Sequence, residues 1–178
     1  MSNRFNIAGT GHRPPVLFAN EKYPYDKKHL NFLISFAEEQ IKYTLSLYKR
    51  EVARIISGMA QGWDTAIAHA AINLGLPLLA AVPFDDMDAK WPQESKDDYQ
   101  YLISKAAKVV VVSPGGYESK KFYLRDKYMV DNADLVLALY NGYESSGTGI
   151  TVKYADQIKK PIKHCWPDWI EYEKKRQK

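Results

Sequence analysis

Six short runs of mainly apolar residues constrain the fold more than any other feature of this sequence. They lie at residues 5–9, 52–56, 78–82, 109–112, 135–139 and 161–165. The runs do not alternate regularly between polar and apolar residues, which is typical of strands that are buried on both faces of a parallel sheet. The sequence therefore predicts a mostly parallel sheet of about six strands.

Segments of helical periodicity connect these runs. In the first segment, apolar residues recur every three or four positions from Leu30 to Tyr48, which predicts a long amphipathic helix. Further helices are predicted at residues 64–74, 95–106, 123–132 and 148–159. The alternation favours an α/β fold, a Rossmann-like three-layer sandwich. Residues 1–165 are predicted to form a single domain, followed by a basic tail or helix end at residues 166–178.

The charge and composition exclude several classes of protein. The formal net charge is +4, but residues 171–178 alone contain four basic and two acidic side chains. Because the rest of the chain is nearly neutral, a nucleic-acid partner is not expected. No apolar run reaches the roughly 18–20 residues of a membrane span, and the polar start lacks a signal-peptide core. A cytoplasmic protein without a membrane partner is therefore expected.

Cysteine and histidine give no sign of a metal site or a structural disulfide. The chain has one cysteine, Cys165, and four scattered histidines without zinc-ligand spacing. We therefore expect neither a bound metal nor a resident cofactor.

Glycine and small hydroxyl residues concentrate directly after the predicted strands, where open parallel sheets bind their ligands. Two such loops, residues 57–62 and 145–149, each precede a predicted helix. Backbone N–H groups of such loops bind phosphate, although each loop alone is also explained by a tight turn. Neither matches the G-x-G-x-x-G or the P-loop pattern, so a standard nicotinamide dehydrogenase is not expected.

Several side chains in these loops have chemistry that suits a nucleotide. Arg13 can hold a phosphate with two hydrogen bonds, and His12 can transfer a proton or simply pack in a loop. Asp64 can accept from ribose hydroxyls or stabilise a helix N-terminus. If the protein is an enzyme, Asp64 and His12 are the candidate catalytic residues. The candidate ligand-binding residues are Thr10, Gly11, Arg13, Ser57, Gly58, Gln61, Trp63, Phe84, Trp91, Arg125, Asn141, Gly147, Thr148 and Gly149. The aromatic members of this set are candidates for stacking on a base, or for the core.

These loops resemble, in order, those of the YpsA-like family of the SLOG superfamily, whose relatives include DprA and the LOG phosphoribohydrolases. The matching pieces are TGHRP at residues 10–14, SGMAQGWD at 57–64, Pro83-Phe84, Trp91, RDKYMVD at 125–131, and Gly147-Thr148 with VKYA at 152–155. The resemblance extends from about Ile7 to Ile162. It implies a Rossmann-like fold, a site for a nucleotide or nucleotide-derived ligand, and a homodimer or higher homo-oligomer.

One departure from the LOG pattern leaves the reaction open. The resemblance to LOG enzymes implies a glutamate three residues after Thr148, within P-G-G-x-G-T-x-x-E, but this position holds Thr151. Threonine cannot stabilise an oxocarbenium-like sugar as a carboxylate does. The first hypothesis is therefore a module that binds a nucleotide-like molecule in order to sense or sequester it. The second is an N-glycosidase that cleaves the base–ribose bond, using Asp64 and His12. The third is a nucleic-acid or protein interaction domain.

The tyrosine content bears on assembly. Thirteen tyrosines exceed what one small core can bury, and tyrosine is favoured at protein interfaces. A homo-oligomer is therefore expected on this ground also.

Overall fold

The computed structural model describes residues 4–18, 26–49 and 51–176. The strands are β1 (Arg4–Gly11), β2 (Glu51–Ser57), β3 (Leu78–Val82), β4 (Lys108–Val111), β5 (Leu135–Leu139) and β6 (Ile162–His164). The helices are α1 (Pro14–Leu17), α2 (Lys27–Tyr48), α3 (Trp63–Asn73), α4 (Gln93–Lys105), α5 (Lys120–Asp131), α6 (Gly147–Gln157) and α7 (Trp166–Arg176). In the part of the chain that the structure describes, no helix is long and apolar enough to cross a membrane.

The six strands form one sheet in which every pair of neighbours is parallel. Their order is β4-β3-β2-β1-β5-β6. Every residue of β3 and of β5 is buried, which explains why these segments read as unbroken apolar runs. The predicted Rossmann-like α/β fold with a parallel sheet of six strands is confirmed.

Successive strand residues enter core clusters on opposite faces of the sheet. Ile7 belongs to the large cluster that contains residues of α2 and α3, whereas Ala8 packs in a cluster with Met129 of α5. Val152 of α6 belongs to a third cluster, built on residues of β5. This arrangement is the predicted three-layer sandwich.

The first long helix shows how the sequence builds one of these layers. Asp26 caps α2, since its Oδ1 accepts the backbone N–H groups of Lys28 and His29 at 2.9 and 3.0 Å. The helix then buries apolar residues at helical spacing, among them Leu33, Ala37 and Ile41, which pack in the same core cluster as residues of the sheet.

The C-terminal segment belongs to the packed domain. Residues 166–176 form α7, and Trp169 on this helix is only 1% exposed, with its ring 5.2 Å from that of Phe36. The core therefore continues past residue 165, where the sequence placed the end of the domain. The basic residues fall in the last turn of α7, where Lys174 pairs with Glu171 and Arg176 with Glu173. Residues 1–3, 19–25, 50 and 177–178 of the predicted domain and tail lie outside the described residues.

One close approach fixes the start of α3 against the end of β1. A Cβ atom at Gly11 would lie 2.5 Å from Cδ1 of Trp63, so only glycine leaves room for the indole. The indole N–H of Trp63 donates to the carbonyl of Leu137 in β5 at 3.2 Å. Trp63 thus ties α3 to two central strands and brings the loop after β2 beside the loop after β1.

Candidate functional site

A cleft of about 420 Å³ lies at the carboxyl ends of the central strands. β1 pairs with β2 on one side and with β5 on the other, so the chain connections leave this point in opposite directions. Such a switch point is where open α/β sheets bind ligands. Half of the predicted site residues line the cleft, namely Thr10, Gly11, His12, Arg13, Asp64, Arg125, Gly147 and Thr148.

The first turn of α6 forms one wall of the cleft. Ser146 caps this helix, because its Oγ accepts the N–H of Gly149 at 2.9 Å and donates to the carbonyl of Tyr143 at 2.7 Å. The N–H groups of the first turn, Gly147 and Thr148, have no acceptor within the helix and carry its positive partial charge. With the exposed side chain of Arg13 in the same cleft, this wall suits an anion.

Asp64 lies in the first turn of α3 and is 7% exposed. Burial raises the pKa of its carboxyl to about 7, and the nearby Arg125 guanidinium limits this rise. Ser57 supports the residue, since its Oγ donates to the Asp64 carbonyl at 2.7 Å and accepts the N–H of Met59 at 3.1 Å. Asp64 therefore carries a proton part of the time near neutral pH.

Arg125 is 4% exposed and reaches the cleft from α5. Its Nη1 donates to the carbonyl of Gly58, and its Nε donates to Oδ1 of Asp126 at 2.7 Å. A Cβ atom at Gly58 would lie 2.5 Å from Nη1 of Arg125 and 2.7 Å from Oδ2 of Asp64. The guanidinium and the Asp64 carboxyl therefore both approach the same stretch of backbone, which requires glycine.

Asp126 is a member of the site that the sequence analysis missed. It lines the cleft, and its Oδ2 accepts a hydrogen bond from Oγ1 of Thr151 at 3.0 Å. Asp131, in the same RDKYMVD segment, lies outside the cleft and pairs with Lys127 at 2.8 Å. The signal that distinguishes them is helical spacing, because Asp126 precedes the buried residues Met129 and Val130 by three and four positions.

His12 is buried and held by Asn141. Its Nε2 lies 2.8 Å from Oδ1 of Asn141 and 3.1 Å from the Asn141 backbone nitrogen. Burial lowers the pKa of the imidazole, and the contact with Asn141 only partly opposes this. A neutral imidazole at pH 7 is the opposite of what the predicted proton donor needs, so Asp64 suits that role better than His12.

Trp63 and Phe84, the predicted stacking residues, do not line the cleft. Trp63 is completely buried, and Phe84 is 5% exposed, with its ring packed edge-on against those of Tyr117 and Phe122. Both are core residues, which is the alternative that their size also allowed. The phenyl ring of Phe122 lines the cleft.

Gln61 and Trp91 line a different cavity, of about 220 Å³, between the start of α3 and α4. Trp91 contacts Tyr99 there edge-on, with ring centroids 5.6 Å apart. Gly149 does not line the main cleft but supports the start of α6, where its N–H donates to Ser146 and where a Cβ atom would lie 2.6 Å from the carbonyl oxygens of Tyr143 and Glu144. Three other predicted residues do not line the cleft but bond to residues that do. Ser57 bonds to Asp64, Gly58 to Arg125 and Asn141 to His12.

No group of three or more histidine, cysteine, aspartate or glutamate side chains is placed to hold a metal ion among residues 4–18, 26–49 and 51–176.

Comparisons with known proteins agree with this fold. The sequence model of the YspA SLOG family matches residues 7–167. A UPF0398 protein of Bacillus cereus is 27% identical over 146 residues, covering 76% of this chain and 73% of that protein. The structure of DNA processing protein A (DprA) from Streptococcus pneumoniae superimposes with a TM-score of 0.59 at 20% identity, covering 89% of this chain and 49% of that one. DprA from Helicobacter pylori, described for its single-stranded DNA binding mode, gives a TM-score of 0.59 at 18% identity, covering 89% and 63%.

Proposed function

The chain belongs to the YspA SLOG family, and we propose that its cleft binds a nucleotide or nucleotide-derived small molecule, in order to sense or sequester it. The observation that carries the proposal is the convergence of Arg13, Arg125 and the first turn of α6 on one cleft beside Asp64. A volume of about 420 Å³ lies within the range of small-molecule sites, roughly 300–1,000 Å³.

The phosphate, the ribose and the base of a nucleotide would each contact a different group of residues in the cleft. A phosphate at Gly147 and Thr148 would meet the positive end of α6, and Arg13 would neutralise its charge. Asp64 would accept from ribose hydroxyls, and the ring of Phe122 would contact the base.

Single-stranded DNA is a competing ligand, because the H. pylori DprA structure is described as binding it. At 18% identity that likeness shows the fold alone. The near-neutral charge of this chain outside residues 171–178 favours a small ligand over a nucleic acid. A salt-sensitive mobility shift with single-stranded oligonucleotides would favour DNA, whereas we expect no shift at moderate salt.

Cleavage of the base–ribose bond is the second candidate function. The observation that favours it is the buried Asp64 carboxyl, whose pKa of about 7 allows it to donate a proton at neutral pH. The same cleft serves binding and cleavage, so the two are separated by looking for a released base.

The binding proposal is tested by titration calorimetry with nucleoside 5′-monophosphates, dinucleotides and the matching nucleosides. Arg13→Ala should weaken binding of a monophosphate by roughly 10- to 100-fold, because a hydrogen bond to a charged group is worth about 1.5–3 kcal/mol. Binding of the nucleoside should change little. Lys153→Ala removes an exposed cation on α6 outside the cleft and is the matched control. Equal effects of the two substitutions, or affinity that is indifferent to the phosphate, would count against the proposal.

A second test requires no assumption about the ligand. Mass spectrometry of small molecules released by denaturing the purified protein should show a nucleotide-like mass, and Arg13→Ala should reduce its occupancy.

We also propose that the protein is a homo-oligomer. Several tyrosines are largely exposed on the single chain, with Tyr117 at 70%, Tyr143 at 64% and Tyr43 at 54%. Such residues are favoured at interfaces. Light scattering that gives the mass of one chain would refute this proposal.

A further inference from the structure

The cavity of about 220 Å³ between the start of α3 and α4 contains a buried donor without an acceptor. Nε2 of Gln61 is shielded from solvent and has no hydrogen-bond partner in the part of the chain that the structure describes, and Gln61 lines the cavity. Buried polar groups in folded proteins are almost always hydrogen-bonded, because an unpaired donor costs its full desolvation energy. A ligand that presents an oxygen or nitrogen lone pair would satisfy this nitrogen.

The walls of this cavity are mainly apolar and aromatic. Leu30 of α2 and Leu102 of α4 line it, and Met59 lines it from the loop after β2. Trp91 and Tyr99 add two rings in edge-to-face contact, 5.6 Å apart. Such walls with few polar groups are typical of small-molecule sites, and a volume below roughly 300 Å³ suits a ligand smaller than a typical drug. The walls therefore favour a compact ligand with an aromatic body.

Carboxylates outnumber cations around the cavity. Asp26, Glu94 and Asp98 line it, against one lysine, Lys27. Asp26 caps α2, and Oδ1 of Asp98 lies 2.8 Å from Nε2 of His69. Glu94, in the first turn of α4, makes no hydrogen bond or ion pair with any residue that the structure describes. An acidic surround attracts a cation, and aromatic rings also stabilise one.

The ionisation of Tyr99 reflects the same negative surround. Tyr99 is 8% exposed, and burial together with the carboxylates of Asp88 and Asp86 raises the pKa of its hydroxyl to about 12. The phenol therefore remains neutral at physiological pH. An anionic ligand beside this ring would meet the same repulsion, so the cavity selects against anions.

The cavity and the cleft lie on opposite sides of the loop after β2. Met59 and Gln61 line the cavity, whereas Ala60 and Asp64 line the cleft. Thr65 of α3 lines the cavity, and its Oγ1 donates to the carbonyl of Ala60 at 2.8 Å. Because the two share no lining residue, a ligand can occupy the cavity whether or not the cleft binds a nucleotide.

We propose that this cavity is a second ligand site, which binds a small aromatic amine in its protonated form that carries a hydrogen-bond acceptor on the ring. The aromatic body packs among Leu30, Trp91 and Leu102, and the ammonium group lies on the side of Glu94. The acceptor takes the hydrogen bond that Nε2 of Gln61 can donate. The inference is independent of the proposed nucleotide site.

Three probes of similar size test this inference by titration into ¹⁵N-labelled protein. Tyramine has the ring, the acceptor and the ammonium group. Phenethylamine lacks the acceptor, and 3-(4-hydroxyphenyl)propionate carries a carboxylate in place of the ammonium group. The side-chain amide signals of Gln61 and the indole signal of Trp91 report binding in the cavity, and spectra of Gln61→Leu and Trp91→Phe assign them.

We expect tyramine to shift these signals saturably, with a dissociation constant roughly three- to tenfold lower than that of phenethylamine, since only tyramine pairs the buried donor. The propionate should bind at least about tenfold more weakly than tyramine, because its charge is reversed.

Two variants and a matched control separate the contributions of the donor and the charge. Gln61→Leu removes the unpaired donor at similar side-chain size, so its urea midpoint should not fall below that of wild type, and it should bind tyramine and phenethylamine equally. Glu94→Gln should weaken tyramine binding by about two- to fivefold. Asp97→Asn changes an exposed carboxylate of the same helix outside the cavity and should have no effect.

Several results would overturn the inference, and each leaves the nucleotide proposal untouched. Tyramine that shifts neither the Gln61 nor the Trp91 signals, or a propionate that binds as tightly as tyramine, excludes this site and its charge selectivity. A preference for tyramine over phenethylamine that persists in Gln61→Leu excludes Gln61 as the donor. A large loss of stability in Gln61→Leu would show that its nitrogen is already paired.

Discussion

Replacing Asp64 by asparagine should stabilise the protein at neutral and alkaline pH. The carboxyl has a pKa of 3.8 in the unfolded chain, and burial raises its pKa to about 7 in the folded protein. Asparagine has the shape of the protonated acid, and its amide oxygen can still accept from the backbone N–H of Ala60. The substitution therefore removes the cost of the buried charge while it keeps the local contacts.

The magnitude follows from the two pKa values. Below pH 3.8 the carboxyl is protonated in both states and contributes no penalty. Between pH 3.8 and about 7 the unfolded chain releases the proton while the folded protein retains it, so stability falls by about 1.4 kcal/mol per pH unit. Above pH 7 the loss is constant, at about 4 kcal/mol. From pH 5 to pH 8 we expect a loss of about 2–3 kcal/mol in wild type that Asp64→Asn does not share.

Urea denaturation of the two proteins at half-unit steps from pH 5 to pH 8 measures this difference. Other titrating groups cancel when the free energies of unfolding are subtracted at each pH, provided that the m-values agree. Asp131→Asn is a control, because its exposed carboxylate has a lowered pKa and its stabilising contribution is already complete above pH 5. A difference between Asp64→Asn and wild type that stays constant over this range would refute the buried-acid argument, and a difference of opposite sign would show that Asp64 is a charged group in an ion pair.

Gly58→Ala should weaken nucleotide binding by at least about tenfold in calorimetry, since its Cβ would displace Arg125 or Asp64, whereas Gly116→Ala has open space and should have no effect. Trp169→Ala should lower the free energy of unfolding, measured in urea, by about 3–5 kcal/mol. Ile170→Ala, which changes an exposed residue on the same helix, should lower it by less than about 0.5 kcal/mol. Cys165, with its pKa raised to about 12 by burial, should react with a thiol reagent only after denaturation. Binding of a nucleoside monophosphate at pH 7.5 should take up protons at Asp64, which calorimetry in buffers of different ionisation enthalpy detects.

The fold could be predicted from the sequence because the buried residues of its strands and long helices form extended apolar runs or recur at helical spacing. β3 and β5 match the predicted runs at both ends, since every residue in them is buried. α7 was missed as part of the core because its apolar face is short, consisting of Trp166, Trp169 and Tyr172, and because its charged last turn resembles a tail. α1 has four residues and leaves no periodic signal at all.

The sequence indicates which loops meet at the cleft, but it does not indicate which of their side chains face it. Gly11 ends β1, and Gly147 and Thr148 come after β5, so the sheet topology alone brings them to one cleft. The sequence does not tell whether an aromatic residue in these loops lies in the cleft or in the core. Trp63 is buried because the absence of a side chain at Gly11 leaves room for its indole. Helical spacing from Met129 and Val130 indicates the side of α5 on which Asp126 lies, but no local pattern encodes its contact with Thr151 of α6.

Arg125 connects these observations. Its guanidinium donates to the carbonyl of Gly58 in the loop after β2 and to the carboxylate of Asp126. Its charge also opposes the rise in pKa that burial causes at Asp64. The guanidinium pairs directly with Asp126, while burial leaves the Asp64 carboxyl close to its proton. An entering phosphate would compete with Asp126 for the same guanidinium and would disfavour charge on Asp64. Ligand binding and the protonation of the cleft are therefore coupled through one residue, whether the ligand is retained or cleaved.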